Sequence, residues 1–164
     1  MAKRLLIKAL SAFDPRARLN VIEYNTDPKR YTKALAGLHG IAPQVVDPRD
    51  ESTYKDYTVI VDESAFGIDR DTVAVALKAE GIDTRPYFYP PVHRQQAYTA
   101  DGVADLPATD WVAQRVISLP LWRAMPPTAV DTIAEVLAEL SANADAVRQA
   151  AGGDTEGADA CVPS

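Results

Sequence analysis

A chain of 164 residues that is 47% hydrophobic can bury one ordinary core and still carry a tail. Its 17 Lys and Arg against 23 Asp and Glu give a net charge of -6, which argues against holding a phosphate backbone by charge, so nucleic acid is not an expected partner. One cysteine, Cys161, and two histidines supply neither an internal disulfide nor a metal-ligand or Cys/His catalytic set, and a reducing, cytoplasmic setting is expected.

The N-terminal Met1 to Leu10 begins like a basic signal region, but Lys8 interrupts the apolar run and no small-residue cleavage site follows. Ala2 to Ala12 is therefore predicted to be a short helix ending at Asp14-Pro15, with Arg16 to Glu23 as a further helical stretch. No stretch approaches the ~18 apolar residues of a membrane span. Lys29 to Leu38, opened by Asp27-Pro28 and closed by Gly40, places Tyr31, Ala34, Leu35 and Leu38 on one helical face. Ile41 to Ser52, with Pro43, Asp47, Pro48, Asp50 and Glu51, has no periodicity and is expected to be an irregular loop.

Tyr54 to Asp62 is aromatic and β-branched, the composition of a half-buried strand, with Tyr54 and Tyr57 on opposite faces. Ile68 to Gly81 is predicted to be a helix with Asp69 as N-cap, a core face of Val73, Ala76 and Leu77, and a stop at Gly81. Ile82 to Tyr89 is predicted to be extended and to leave the sheet at Pro90-Pro91, which have no N–H to donate. Leu106 to Arg115 is a helix tolerating Pro107 in its first turn, and Val116 to Leu119 is a short strand closed by Pro120. Pro127 to Leu140 repeats apolar residues at three- and four-residue intervals (Val130, Ile133, Val136, Leu137, Leu140), an amphipathic helix. Gly152 to Gly157 lacks apolar residues to offset its ordering entropy. The expected organisation is a helical segment with an irregular connection over 1–52, one domain over 53–141 and a disordered tail over 142–164. The fold class is α+β: a small, mostly antiparallel sheet with helices packed on one face.

Three blocks, YKDYTVIVDES, DRDTVAVALKAEGIDTRPYFYPPVHRQQAY and LPATDWVAQRVISLPLWRAMPPTAVDTIAEVL, stand in this order. Their Gly-Ile-x-Thr-Arg-Pro run, the following Pro-x-His and the later Ser-Leu-Pro-Leu form a chained signature. Over about Tyr54 to Leu140 the chain resembles the C-terminal small domain of the DegT/DnrJ/EryC1/StrS family, pyridoxal-phosphate aminotransferases of fold type I acting on nucleotide-linked keto-sugars. A looser likeness over Arg18 to Ile41 is to the long helix before that domain, which Asn25-Thr26-Asp27-Pro28 interrupts here.

The resemblance implies a small domain that closes over substrate while a large domain holds the cofactor on a lysine. None of Lys3, Lys8, Lys29, Lys33, Lys55 or Lys78 sits in the family's Ser-x-x-x-x-Lys setting. Pyridoxal phosphate is thus expected only in a complete assembly and not on the isolated chain, which would be no complete aminotransferase alone. The implied partners are a large aminotransferase subunit or a second copy, with a nucleotide sugar as substrate.

Read from residue type alone, Arg85 is a structural ion-pair partner of Asp83 or of a helix end, and His93 is a capped loop histidine. The resemblance instead turns Arg85, Tyr89 and His93 toward a ligand: Arg85 to a phosphate or carboxylate, Tyr89 to stack or hydrogen-bond, His93 to the sugar or cofactor phosphate. Trp111 and Trp122 are expected in the core, His39 at a helix C-terminus, and Glu135 with Glu139 on a solvated face. A second function remains open, a non-catalytic binding or oligomerisation module or the remnant of a longer aminotransferase gene.

Overall fold

The structure is a computed structural model that describes residues 28–50, 52, 54–98, 102, 104–122 and 124–153. The helical expectations before Asp27 and the tail beyond Gly153, with Cys161, lie outside these residues. The described chain runs α1 (Pro28–Ala34), β1 (Ile41–Pro43), β2 (Tyr57–Val61), α2 (Glu63–Phe66), α3 (Arg70–Ala79), α4 (Pro107–Ala113), β3 (Val116–Leu119), α5 (Pro127–Ala142) and α6 (Ala144–Gly153). Two 3-10 turns, Val92–Arg94 and Gln96–Tyr98, follow α3. No helix among the described residues is long and apolar enough to cross a membrane.

The three strands form one antiparallel sheet in the order β1-β2-β3. Opposed residues of antiparallel strands share a face. Tyr57, Val59 and Val61 therefore line one face with Leu119, Ile117 and Ile41, and all six are buried. Against that face pack Tyr31 of α1 and Leu35 just after it, Val73 and Leu77 of α3, and Val130, Ile133 and Leu137 of α5. The opposite face carries Thr58, Ile60, Val116 and Ser118. This is the expected α+β arrangement, with α1, α3 and α5 gathered on one side of a small sheet.

The ends of α3 follow from its sequence. The Asp69 carboxylate accepts the Thr72 N–H at 2.7 Å. At the other end Ile82 N–H donates to the Leu77 carbonyl at 2.8 Å and Gly81 N–H to that of Lys78 at 3.0 Å, with Gly81 left-handed at φ 76. That pair of bonds is a Schellman ending, and it fixes the direction in which Ile82 and everything after it departs.

The structure differs from these expectations in several places. The loop placed over Ile41 to Ser52 begins with β1, because the Gly40 carbonyl accepts the Asp62 N–H at 2.8 Å, the Gln44 N–H donates to the Thr58 carbonyl at 3.4 Å, and Ile41, paired with Val61, joins the core. α1 and β1 contribute Tyr31 and Ile41 to the same core as β2. The extended segment over Ile82 to Tyr89 pairs with the sheet at Arg85 alone. The stretch from 142, expected to be disordered, holds α6, tied to the α2–α3 turn by Arg148 donating to the Gly67 carbonyl, with Ser141 Oγ donating to that of Phe66 at 3.2 Å. Tyr54 lies outside β2, and its ring stacks on Tyr57 at 5.8 Å instead of occupying the opposite face. Tyr31 stacks on Tyr57 too, at 4.7 Å, and donates its hydroxyl to the Pro120 carbonyl; burial, and then the neighbouring Tyr57, push that hydroxyl's pKa upward.

Gly40 stands where α1's exit meets α2. Its φ is 79, and an added Cβ would lie 2.3 Å from the Phe66 backbone nitrogen. Gly37 is also left-handed, at φ 90, but faces open space. Gly37→Ala should therefore cost only the left-handed penalty, about 1–2 kcal/mol, and Gly40→Ala distinctly more, because backbone cannot step aside as a side chain can. Urea midpoints of the two variants measure the difference, and equal midpoints would contradict the packing described at Phe66.

Candidate functional site

Arg85 is the hinge of the Pro-rich segment. Its N–H donates to the Ser118 carbonyl at 3.1 Å and accepts the Ser118 N–H on its own carbonyl at 2.7 Å. Both main-chain groups of Ser118 thus point to Arg85 and away from β2, which makes Ser118 and Thr58 a close, non-hydrogen-bonded pair on the β2 side. Their hydroxyls meet at 2.8 Å. Arg85 shares the outer sheet face with Ser118 and Thr58, opposite the core. The next residue, Pro86, has its missing N–H on the side away from β3, where a further strand would have to bond.

Beyond Pro86 the chain turns back, with cis peptides at Tyr87-Phe88 and Tyr89-Pro90. Tyr87 and Phe88 stack on each other at 5.0 Å while both stay exposed, Phe88 by 68%. With Val92, and with Thr109 and Val112 of α4, they line an open cleft of about 440 Å³ over Val116. Tyr89 is 53% exposed, and the guanidinium of Arg70 lies 5.0 Å from its ring centroid. A cation over a ring face at this distance is attractive.

His93 sits in the first 3-10 turn with its side chain 10% exposed and its Nε2 3.1 Å from Asp110 Oδ1 of α4. A carboxylate only accepts, so the neutral ring carries its proton on Nε2 and leaves Nδ1 as its acceptor. Asp110 also grips Arg94, whose Nε donates to Oδ1 at 3.0 Å and whose terminal nitrogen donates to Oδ2. The hydrogen bond from Arg94, followed by its charge and by His93, holds the Asp110 carboxyl below the usual aspartate range. One carboxylate therefore staples the end of the Pro-rich segment to α4.

The three residues singled out in the sequence hang from different anchors along one segment: Arg85 from β3, Tyr89 from Arg70, His93 from Asp110. The Asp83 partner expected for Arg85 is taken by Lys78, which forms the hydrogen-bonded ion pair with it, and among the described residues the Arg85 guanidinium makes no hydrogen bond. Trp111 and Trp122 are 48% and 47% exposed, not core. Trp111 carries the Arg115 guanidinium over its ring at 4.6 Å, and Trp122 borders a cleft of about 540 Å³ beside Ile82 and α5. The sequence reading missed Arg70, 2% exposed, and Asp110. For Asp110 a cue existed, an acidic residue in the first turn of a helix downstream of a His-Arg pair; for Arg70, next to an N-cap aspartate, there was none.

Because the folded Asp110 pKa is depressed, its contribution is present above the ordinary carboxylate value of ~3.9 and is lost as pH falls through the lower, folded one. Slow amide exchange at Arg94 and Gln95 should accordingly hold at pH 6 and fade below about pH 4. Asp110→Asn should show the fast exchange already at pH 7; protection unaffected by that variant would exclude the staple.

The description DegT/DnrJ/EryC1/StrS aminotransferase family matches residues 21–138. A dTDP-3-amino-3,4,6-trideoxy-alpha-D-glucose transaminase of Streptomyces venezuelae is 33% identical over 93 residues, covering 56% of this chain and 23% of that protein. Among solved structures, DesI in the presence of its TDP-sugar product superposes with a TM-score of 0.68 at 31% identity, over 77% of this chain and 32% of the other. S. venezuelae DesV in complex with a ketimine intermediate gives a TM-score of 0.62 at 28% identity, over 70% and 30%. The chain spans about a quarter to a third of the length of these relatives. The matched region begins at residue 21, upstream of Tyr54 where the stronger resemblance was drawn, in agreement with α1 and β1 belonging to the core. By its matched residues and its fold, the chain belongs to the DegT/DnrJ/EryC1/StrS aminotransferase family.

Proposed function

We propose that this chain supplies the small-domain wall of the active site of an aminotransferase acting on nucleotide-linked keto-sugars, and that the cofactor lysine comes from outside the residues described. The observation that carries this reading is the anchored segment from Arg85 to His93. It sets an exposed guanidinium, with no hydrogen bond among the described residues, and three exposed aromatic rings on one stretch of chain beside an open cleft.

The residues have complementary uses. Arg85 offers a two-pronged donor to a diphosphate or carboxylate. Tyr87, Phe88 and Tyr89 offer faces to a sugar or base ring and keep water off it. His93 has its Nε2 committed to Asp110, so any proton it exchanges with a ligand passes through Nδ1. Rigid backbone on either side supports such positioning, since binding then orders little that is not already ordered.

Pyridoxal phosphate is not accommodated by the described residues alone. Their lysines are Lys29, Lys33, Lys55 and Lys78; none lines the clefts beside Phe88, Trp122 or Arg70, and the Lys78 ammonium is engaged by Asp83. The cofactor, when bound in a complete enzyme, supplies the electron sink for amino transfer. What this chain contributes is substrate binding and closure.

Mixing the purified chain with a lysine-bearing large domain of the family should give a stable complex and a change in the cofactor's absorbance. Within that complex Arg85→Ala should raise KM for a thymidine-diphosphate keto-hexose by roughly ten- to a hundredfold, the worth of a charge-assisted hydrogen bond, without unfolding the chain. Absence of association with any such domain, together with self-association of the chain, would favour the non-catalytic oligomerisation module. Turnover by the chain alone with pyridoxal phosphate would overturn the shared site.

A further inference from the structure

Arg70 is the one charged residue in the buried set among the described residues, at 2% exposure. It opens α3, where its position beside the Asp69 N-cap needs no guanidinium. One terminal nitrogen donates to the Val116 carbonyl of β3 at 3.0 Å. Its Nε lies 2.7 Å from Asp71 Oδ1, yet the angle is poor and Nε has no hydrogen bond. Asp71 is itself largely exposed, so this ion pair does little to repay the desolvation of the cation.

A pin between α3 and β3 would be made more cheaply by an apolar side chain of similar length. What the guanidinium adds is attraction for the face of the Tyr89 ring. Tyr89 sits midway between the Ser118 bridge at Arg85 and the Asp110 staple at His93, in the stretch that neither holds directly. Since its ring is half exposed, with no other ring or hydrogen-bond contact among the described residues, little else sets its orientation. Desolvation strengthens the attraction, because the cation cannot exchange the ring for water.

We propose that Arg70 is a positioning residue that fixes the Tyr89 ring, and through it the substrate-facing shape of the segment from Arg85 to His93. The link to substrate rests on the aminotransferase reading above; the contact with Tyr89 does not. One face of the ring is spent on Arg70, and the other remains for a sugar or base ring.

The test uses the full chain with labelled tyrosine rings and arginine side chains, read by nuclear magnetic resonance. Arg70→Met should shift the Tyr89 ring signals while leaving those of Tyr31 and Tyr57 in place. Tyr89→Leu, a change at an exposed position, should remove the ring-current shift of the Arg70 Nε–H, and it carries the same question should the arginine variant fail to fold. Unmoved signals in either folded variant overturn the contact. In the reconstituted complex Arg70→Met should raise KM for the thymidine-diphosphate keto-hexose on the order of tenfold at nearly constant kcat, with Arg70→Lys recovering part of it. An unchanged KM overturns the effect on substrate. A wild-type complex with no activity counts instead against the aminotransferase reading, and the ring signals then decide the role of Arg70 at Tyr89.

Discussion

Two backbone hydrogen bonds between Arg85 and Ser118 govern this molecule's functional geometry. β3 is the edge of a three-stranded sheet, and an open edge is a hazard unless something occupies it. Arg85 pairs with it once, and Pro86 then denies the outer side a donor. The same two bonds orient Ser118 so that its hydroxyl meets Thr58 across the sheet. They also commit the Arg85 side chain to the face away from the core. The Schellman ending of α3 delivers the chain to this point, since Ile82 is bonded back to Leu77 only three residues earlier. The placement of the exposed aromatic rings thus follows from main-chain bonding and proline chemistry, and packing of the rings is not needed to produce it.

The electrostatics are arranged around the same segment. Asp110 serves two cations, His93 when protonated and Arg94, and its depressed pKa keeps it ionised through the neutral range. Asp83 is held ionised by Lys78 first, with Arg85 a weaker contributor, which leaves the Arg85 guanidinium without a hydrogen-bonded partner among the described residues. Arg70 is the converse case, a cation withdrawn from water and balanced by a carbonyl, a ring and one exposed carboxylate.

Much of the fold was legible in the sequence, for reasons that can be named. The cap at Asp69, the stop at Gly81, the β-branched run of β2 and the apolar spacing of α5 are local signals, and each produced the element it indicates. β1 was not legible, because three residues ending in proline carry no period and pair only by virtue of β2. α6 was not legible either: its alanines and glycines are weak indicators, and its anchor, Arg148 to Gly67, is tertiary. Trp111 and Trp122 show the limit of residue-type averages, which favour burial of tryptophan but say nothing about an element left at the margin of the packing. Arg85, Tyr89 and His93 were singled out through the resemblance and the prolines. Arg70, which contacts one of them, has only its three-dimensional setting to distinguish it from ten other arginines.

The exposed rings bear on whether this wall works alone. Tyr87, Phe88, Val92 and Val112 leave apolar surface to water around one cleft, and monomeric proteins seldom keep such patches without a use. A sugar ring alone offers many hydroxyls and little apolar face, so it cannot by itself repay the desolvation that closing this cleft requires. A second protein surface bringing its own apolar groups can, and a substrate trapped between two such walls loses water on both sides at once. The chain spans about a third of the solved relatives it matches, and the open cleft between the Pro-rich segment and α4 is the surface that, under the proposed reading, a second protein surface would cover.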